Sequence, residues 1–139
     1  MWLGYAFLSA LSAAAVAIFG KLGLKSVDAT LATTIRSVIM AGFLVLTSLA
    51  LKKFNGFSFG ALTSREWIFI VFSGVAGALS WLFYFLAIQK GVTTQVVAID
   101  RLSVIFVIIL AALFLGEALS LKVMLGGLLL VAGALLIAL

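Results

Sequence analysis

Five apolar runs of membrane-spanning length follow one another along this chain, and they leave little sequence for anything else. A helix needs about 20 predominantly apolar residues to cross roughly 30 Å of hydrocarbon. The sequence provides such runs at about residues 2–20, 31–51, 67–88, 96–116 and 119–139. Because 66% of the 139 residues are hydrophobic and only 9% are charged, the composition is that of a membrane protein. We therefore predict an all-α membrane protein with five transmembrane helices.

The polar connections between the runs are short, so we expect a single domain over residues 1–139 and no soluble domain. No basic residue precedes the first run and no clear cleavage site follows it, so we interpret it as a retained helix. Asp28 is placed to cap the second helix, and Thr63 with Glu66 has the spacing of a capping box before the third. The chain has no proline, so any bend must come from glycine or from rearranged hydrogen bonds.

Residue types that carry much of enzyme chemistry are missing from this chain. It has no Cys and no His, which removes disulfides, thiolate metal ligands and the usual general base near neutral pH. We expect no enzyme activity, no metal and no cofactor. The net charge of +5 arises mostly at helix ends, where phospholipid headgroups are the nearer partners. The lipid bilayer is therefore the expected partner, and nucleic acid is not.

The basic residues do not clearly favour one orientation in the membrane. With five spans the termini face opposite sides of the membrane. Four basic residues fall on the amino-terminal side and three on the other side. The second count rises to five if two arginines within the spans extend to that interface. The first group is Lys52, Lys53, Arg65 and Lys122, and the second is Lys21, Lys25 and Lys90, joined by Arg36 and Arg101. So small a bias lets one chain insert both ways up, and we predict an antiparallel homodimer. Alternatively, one charge decides a single orientation and gives a parallel oligomer or a monomer.

Three charged residues lie inside the predicted spans, Arg36 in the second and Asp100 with Arg101 in the fourth. Each is about five residues into its helix, roughly 8 Å from the same membrane face. A charge at the bilayer centre costs about 2.5 to 3.5 kcal/mol on insertion scales, and less near an end, so such groups normally face protein or water. We predict a charged gate or substrate contact in which Asp100 pairs with Arg36 or Arg101. The alternative is that both arginines snorkel to headgroups with Asp100 as their counter-ion.

Small, hydroxyl and aromatic residues mark a possible solute pathway along the third span. Ser73, Gly77, Ser80, Trp81 and Tyr84 form one stripe at helical spacing. We predict that Ser80, Trp81 and Tyr84 line the pathway. Alternatively, the small residues of the stripe allow close helix packing and the aromatic residues mark the membrane interface.

The first and last spans carry further residues of interest. Ser9 and Ser12 lie near mid-depth in the first span, where a hydroxyl contacts a solute or bonds back to its own helix. The last span has Gly126, Gly127 and Gly133, which predict helix packing or a dimer contact, with a lipid-facing role as the alternative.

Several of these features occur together in a known order. Lys21 follows the first span, Ile35, Arg36 and Ser37 lie in the second, and the carboxy-terminal half begins with SGVAGALSW. That half places Leu115, Gly116 and Glu117 before a short turn and a glycine-rich last helix. In this order the chain resembles the EamA domain of the drug/metabolite transporter superfamily, over nearly its whole length.

Most members of that family carry two such five-helix units in tandem, related by inverted topology. For a chain with one unit, the resemblance implies assembly from two copies. One departure is that the fourth span of the family often has a proline in the region that here holds Asp100 to Ser103.

The residues and the resemblance together predict a multi-pass transporter of the cell membrane. We expect a secondary carrier of a small metabolite or organic solute that works by alternating access as a dimer. The first alternative is a small membrane subunit of a lipid-linked sugar flippase or of another transporter, without transport activity of its own. A purely structural membrane protein is the second.

Overall fold

The computed structural model describes residues 1–139 and contains helices but no strand. The helices are α1 (Trp2–Gly23), α2 (Ala29–Ala50), α3 (Ser64–Lys90), α4 (Thr93–Asp100), α5 (Ser103–Leu110) and α6 (Leu121–Ala138). A 3-10 turn covers Phe59–Ala61, and a π-helical segment covers Ala111–Leu115. Because α4, α5 and the π segment together form one span, Thr93–Leu115, five segments are long and apolar enough to cross a membrane. The predicted all-α fold with five spans is confirmed.

Side-chain hydrogen bonds set the starts of α2 and α3. Asp28 Oδ1 accepts from the backbone N–H groups of Thr30 and Leu31 at 2.9 and 3.1 Å, which are donors left unpaired at a helix start. Glu66 Oε2 accepts from the N–H and the hydroxyl of Thr63 at 2.8 and 2.7 Å, and the Glu66 N–H donates back to Thr63 Oγ1 at 3.3 Å. Both predicted caps are confirmed, and the second starts α3 about one turn before the apolar run.

The fourth span is interrupted in its middle. The Leu102 N–H donates to the Ile99 carbonyl and the Ile105 N–H to the Leu102 carbonyl, both at 2.9 Å; these are the i to i+3 bonds of a 3-10 turn. The backbone stays right-handed, with φ −66° and ψ −14° at Arg101 and φ −61° and ψ −19° at Leu102. The interruption is thus made by rearranged hydrogen bonds, without glycine or proline.

The same span ends at Gly116. Its N–H and the N–H of Glu117 both donate to the Ala111 carbonyl, the latter at 3.3 Å. Gly116 has φ +67°, a left-handed conformation that a residue without Cβ adopts at little cost. The Leu115–Gly116–Glu117 motif is therefore a helix stop.

The chain divides into two compact units, and the first is formed by Met1–Leu22 and Lys90–Leu139. Within it α6 packs against α4 and α5. Gln95 Nε2 of α4 donates to the carbonyl of Ala138 at 3.1 Å, and Lys21 Nζ of α1 donates to the carbonyl of Gly91 at 2.9 Å. These bonds tie the start of α4 to the ends of α1 and α6.

The second unit is Gly23–Gln89 and contains α2 and α3. Leu24, Ala29, Phe85 and Ile88 are buried in it. Gln89 Nε2, near the end of α3, donates to the carbonyl of Val27 at 3.0 Å and so holds the segment that leads into α2. The expectation of one domain over residues 1–139 stays a prediction.

Candidate functional site

Arg36 lies about two turns into α2, with its guanidinium against aromatic rings of α3. The guanidinium carbon is 3.8 Å from the centroid of the Trp81 ring and 5.0 Å from that of Phe85. A cation over a ring face within about 6 Å is attracted by the negative face of the π system. In the second unit, the positive charge of Arg36 therefore lies against the faces of the Trp81 and Phe85 rings.

The rings that receive Arg36 support one another along α3. Trp81 and Phe85 stack with centroids 5.8 Å apart and planes 30° apart. Tyr84 packs edge-on against both, at 5.6 Å from Trp81 and 5.8 Å from Phe85. Because Phe85 is buried, these three residues form a supported surface, which we call the aromatic platform.

Arg36 lacks an anionic partner in its own unit. Its Nη1 is buried and has no hydrogen-bond partner. The carboxylates of the unit are Asp28 and Glu66, and both accept hydrogen bonds at helix starts. The pairing of Arg36 with Asp100 would join the two units and stays a prediction.

Asp100 and Arg101 lie in the first unit, where the fourth span is interrupted. Consecutive residues on a helix project their side chains in different directions. The predicted pairing of Asp100 with Arg101 stays a prediction. Asp100 is half-buried, whereas Arg101 is exposed and borders two cavities.

The larger cavity has a volume of about 600 Å³ and is open on one side. Ala14, Ala17 and Ile18 of α1 form one wall, and Thr93, Thr94, Val97, Ala98 and Arg101 form another. The smaller cavity, about 230 Å³, lies between α4 and α6 and is lined by Ala98, Arg101, Leu130, Gly133, Ala134 and Ile137. Arg101 thus brings a cation to the edge of a cavity that is lined mainly by apolar residues.

The hydroxyl residues predicted for the pathway lie outside both cavities. Ser12 Oγ donates to the Leu8 carbonyl of its own helix at 2.9 Å, which is the second of the two alternatives for that residue. Ser9 and Ser80 are exposed. Their contact with a solute stays a prediction.

The glycines of α6 differ in their surroundings. A Cβ on Gly127 would lie 2.9 Å from Ile105 Cδ1 and 3.3 Å from Ile108 Cδ1, so the missing side chain allows α5 to approach. A Cβ on Gly126 or Gly133 would meet nothing within 4 Å. Their part in a contact between subunits stays a prediction.

Phe85 and the residues of α1 that line the larger cavity were not among the predicted site residues. Phe85 follows Trp81 by four residues, the spacing that brings side chains together on a helix. Ala14 and Ala17 are three residues apart in the first span, and such small residues leave room beside a helix. Both signals were present but not distinctive among so many apolar residues.

The spans and the charged residues within them define a multi-pass, all-helical membrane protein. Comparison with known proteins assigns the chain to one family within this class. The EamA-like transporter family matches the chain over residues 1–139. A protein of Sinorhizobium sp., described as an uncharacterized transporter in the cobO 3' region, is 38% identical over 137 residues, covering 99% of this chain and 96% of that protein. No solved structure matches the chain.

The chain belongs to the EamA-like transporter family. The predicted family is therefore confirmed. Both comparisons support a transporter, and they suggest a protein that is not an enzyme.

Proposed function

We propose that this protein is a secondary transporter of the cell membrane that moves a small metabolite or organic solute by alternating access. The observation that carries the proposal is the interrupted fourth span, which breaks at Arg101 beside the cavity of about 600 Å³. Two oppositely oriented copies of the chain form the working transporter.

Interrupted helices suit solute transport for a physical reason. Inside a membrane, backbone groups that leave the regular helix pattern are tolerated only where protein or a cavity surrounds them. Secondary transporters often build their solute sites from such broken helices near the bilayer midplane. The 3-10 turn at Arg101 and Leu102 is a comparable break within a span, and a cavity lies beside it.

The second copy follows from what alternating access requires. The site must open to one side and then to the other, and transporters achieve this with two structurally related halves of inverted topology. One chain supplies five spans and an odd number cannot divide into equal halves. A second chain inserted the other way up supplies the missing half, and the small charge bias permits it.

The proposal is tested by reconstituting the purified chain in liposomes and measuring solute counterflow with labelled amino acids, sugars, nucleosides, organic acids and organic cations. We expect saturable exchange of at least one class. A matched pair of variants links the exchange to the cavity: Ala14→Leu fills it and should slow exchange, whereas Ala15→Leu alters the next residue, which does not line it. Ala15→Leu should exchange like the parent chain.

Two results would contradict the proposal. The first is a folded, reconstituted chain that exchanges no solute of any class. The second is exchange that begins only when another membrane protein is added, which would favour a transporter subunit instead.

A further inference from the structure

We propose that Arg36 recognises an anionic group, and that the transported solute is an organic anion whose carboxylate or phosphate binds this guanidinium on the aromatic platform. The inference rests on the proposed transport function, because it names the chemical class of the solute. It concerns the second unit, where the residues involved all lie.

Arg36 carries a charge without a counter-ion in its unit. Asp28 is occupied by the N–H groups of Thr30 and Leu31, and Glu66 by Thr63. Neither carboxylate is bonded to Arg36. A cation within an apolar span normally has a partner, so an anion from outside the unit is the missing component.

The Nη1 atom of Arg36 is buried. It has no hydrogen-bond partner, although buried polar atoms in proteins are nearly always paired. The nearby hydroxyls of Thr33 and Ser37 donate to the Ala29 and Thr33 carbonyls at 2.7 and 2.8 Å, and neither accepts from Nη1. An oxygen of a bound anion would supply the acceptor that Nη1 lacks.

The position of the guanidinium over the Trp81 ring leaves its hydrogen-bond donors accessible in principle to an anion. At 3.8 Å from the Trp81 centroid the guanidinium carbon is in contact with the face of the ring. Contact with a ring face engages the flat side of the guanidinium, whereas its N–H donors point outward in its plane. A carboxylate or phosphate binds such a donor edge with two parallel hydrogen bonds. The aromatic platform thus positions Arg36 without consuming the donors that an anion needs.

The aromatic platform also favours an organic anion over a small inorganic one. Trp81 and Phe85 present ring faces to the guanidinium, Tyr84 packs edge-on against both rings, and Trp81 and Tyr84 are partly exposed. An apolar or aromatic part of the solute can pack on these rings while its charged end binds Arg36.

The test uses the full chain in nanodiscs of phosphatidylcholine, with Trp2 and Trp67 replaced by Phe so that Trp81 is the only tryptophan left of three. Sodium benzoate is titrated at constant ionic strength while Trp81 fluorescence is recorded. Benzamide, which has the same shape without the charge, is the matched probe. We expect a saturable change with benzoate and at least about tenfold weaker binding of benzamide.

Two variants connect the signal to Arg36. Arg36→Gln should weaken benzoate binding by about 10- to 100-fold, the usual effect of losing charge-assisted hydrogen bonds. Arg65→Gln is the control, since Arg65 also lies over a ring, with its guanidinium carbon 5.7 Å from the Phe69 centroid, but at the start of α3. Benzoate should bind Arg65→Gln as it binds the parent chain. The benzoate and benzamide comparison needs no variant, so it decides the question even if Arg36→Gln does not fold.

Equal binding of benzoate and benzamide would overturn the inference, and so would unchanged binding by a folded Arg36→Gln chain. Nanodiscs with added phosphatidylglycerol distinguish a lipid phosphate from a free solute. If the anionic lipid alone shifts Trp81 fluorescence and blocks benzoate, the anion is a headgroup and the solute assignment is wrong.

Liposome exchange separates this inference from the transport proposal. Exchange of neutral or cationic solutes without benzoate binding would refute the anion site and leave transport standing. Benzoate binding by a chain that exchanges no solute would refute transport and leave Arg36 as an anion site.

Discussion

The guanidinium carbon of Arg36 lies 3.8 Å from the centroid of the Trp81 ring. This contact joins α2 to α3 by a cation and a π face, where a carboxylate partner would have cancelled the charge. Within the second unit, the positive charge of Arg36 is therefore kept inside a membrane span without a carboxylate partner.

We predict that Trp81 stabilises Arg36 by a measurable amount. Trp81→Leu and Arg36→Met, combined in a double-mutant cycle, should give a coupling free energy of about 0.5 to 2 kcal/mol. Thermal or chemical unfolding in a mild detergent supplies the four values. Trp81→Phe keeps a ring and should retain part of the coupling. A coupling of zero would mean that the contact contributes nothing to stability.

Gly127 and Gly126 provide a matched pair for helix packing. Gly127→Leu should lower the free energy of unfolding by about 1 to 3 kcal/mol, because overpacking displaces neighbouring side chains, here Ile105 and Ile108. Gly126→Leu adds the same side chain to an exposed position and should have little effect on thermal unfolding. Equal effects at the two positions would contradict close packing of α6 against α5.

Asp100 is expected to act in transport and not in insertion. Asp100→Asn preserves the shape of the side chain and removes its charge at the interruption of the fourth span, and it should slow solute exchange by about tenfold. Asp28→Asn is the control, since Asn also caps a helix and Asp28 precedes α2. Membrane levels of both variants should equal those of the parent chain. Unchanged exchange by Asp100→Asn would remove this residue from the mechanism.

Dual insertion predicts that a reporter at one end of the chain is found on both sides of the membrane. A fusion at the carboxyl terminus that signals only in one compartment, paired with one that signals only in the other, measures this in cells. Adding three lysines to the Lys52–Lys53 loop should shift the population to one orientation, because basic loops stay on the cytoplasmic side. A single fixed orientation of the unaltered chain would end the antiparallel proposal.

Local features of this fold could be predicted from the sequence, because each depends on residues close together in the chain. The five spans follow from the length of the apolar runs. The caps at Asp28 and Thr63 follow from one side chain and the few N–H groups next to it. Each of these was found where it was expected.

Features that depend on distant residues could not be predicted in the same way. The contact of Arg36 with Trp81 depends on how α2 meets α3, and hydropathy does not encode that arrangement. The interruption at Arg101 and Leu102 is also invisible, because no glycine or proline marks it and the apolar run continues past it. What the sequence did indicate is that charged residues lie at that point.

No residue at the interruption of the fourth span has a side chain that fixes its backbone conformation there. At Arg101 and Leu102 ψ is −14° and −19°, less than about 30° from the value of a regular α-helix. A proline kink would be permanent. Here, small changes of ψ at Arg101 and Leu102 are enough to restore a regular α-helix. The fourth span shortens by about 1 Å when these two residues change from the rise per residue of a 3-10 helix to that of an α-helix. If the protein works by alternating access, as proposed, this span is therefore able to straighten and bend through backbone rotations alone.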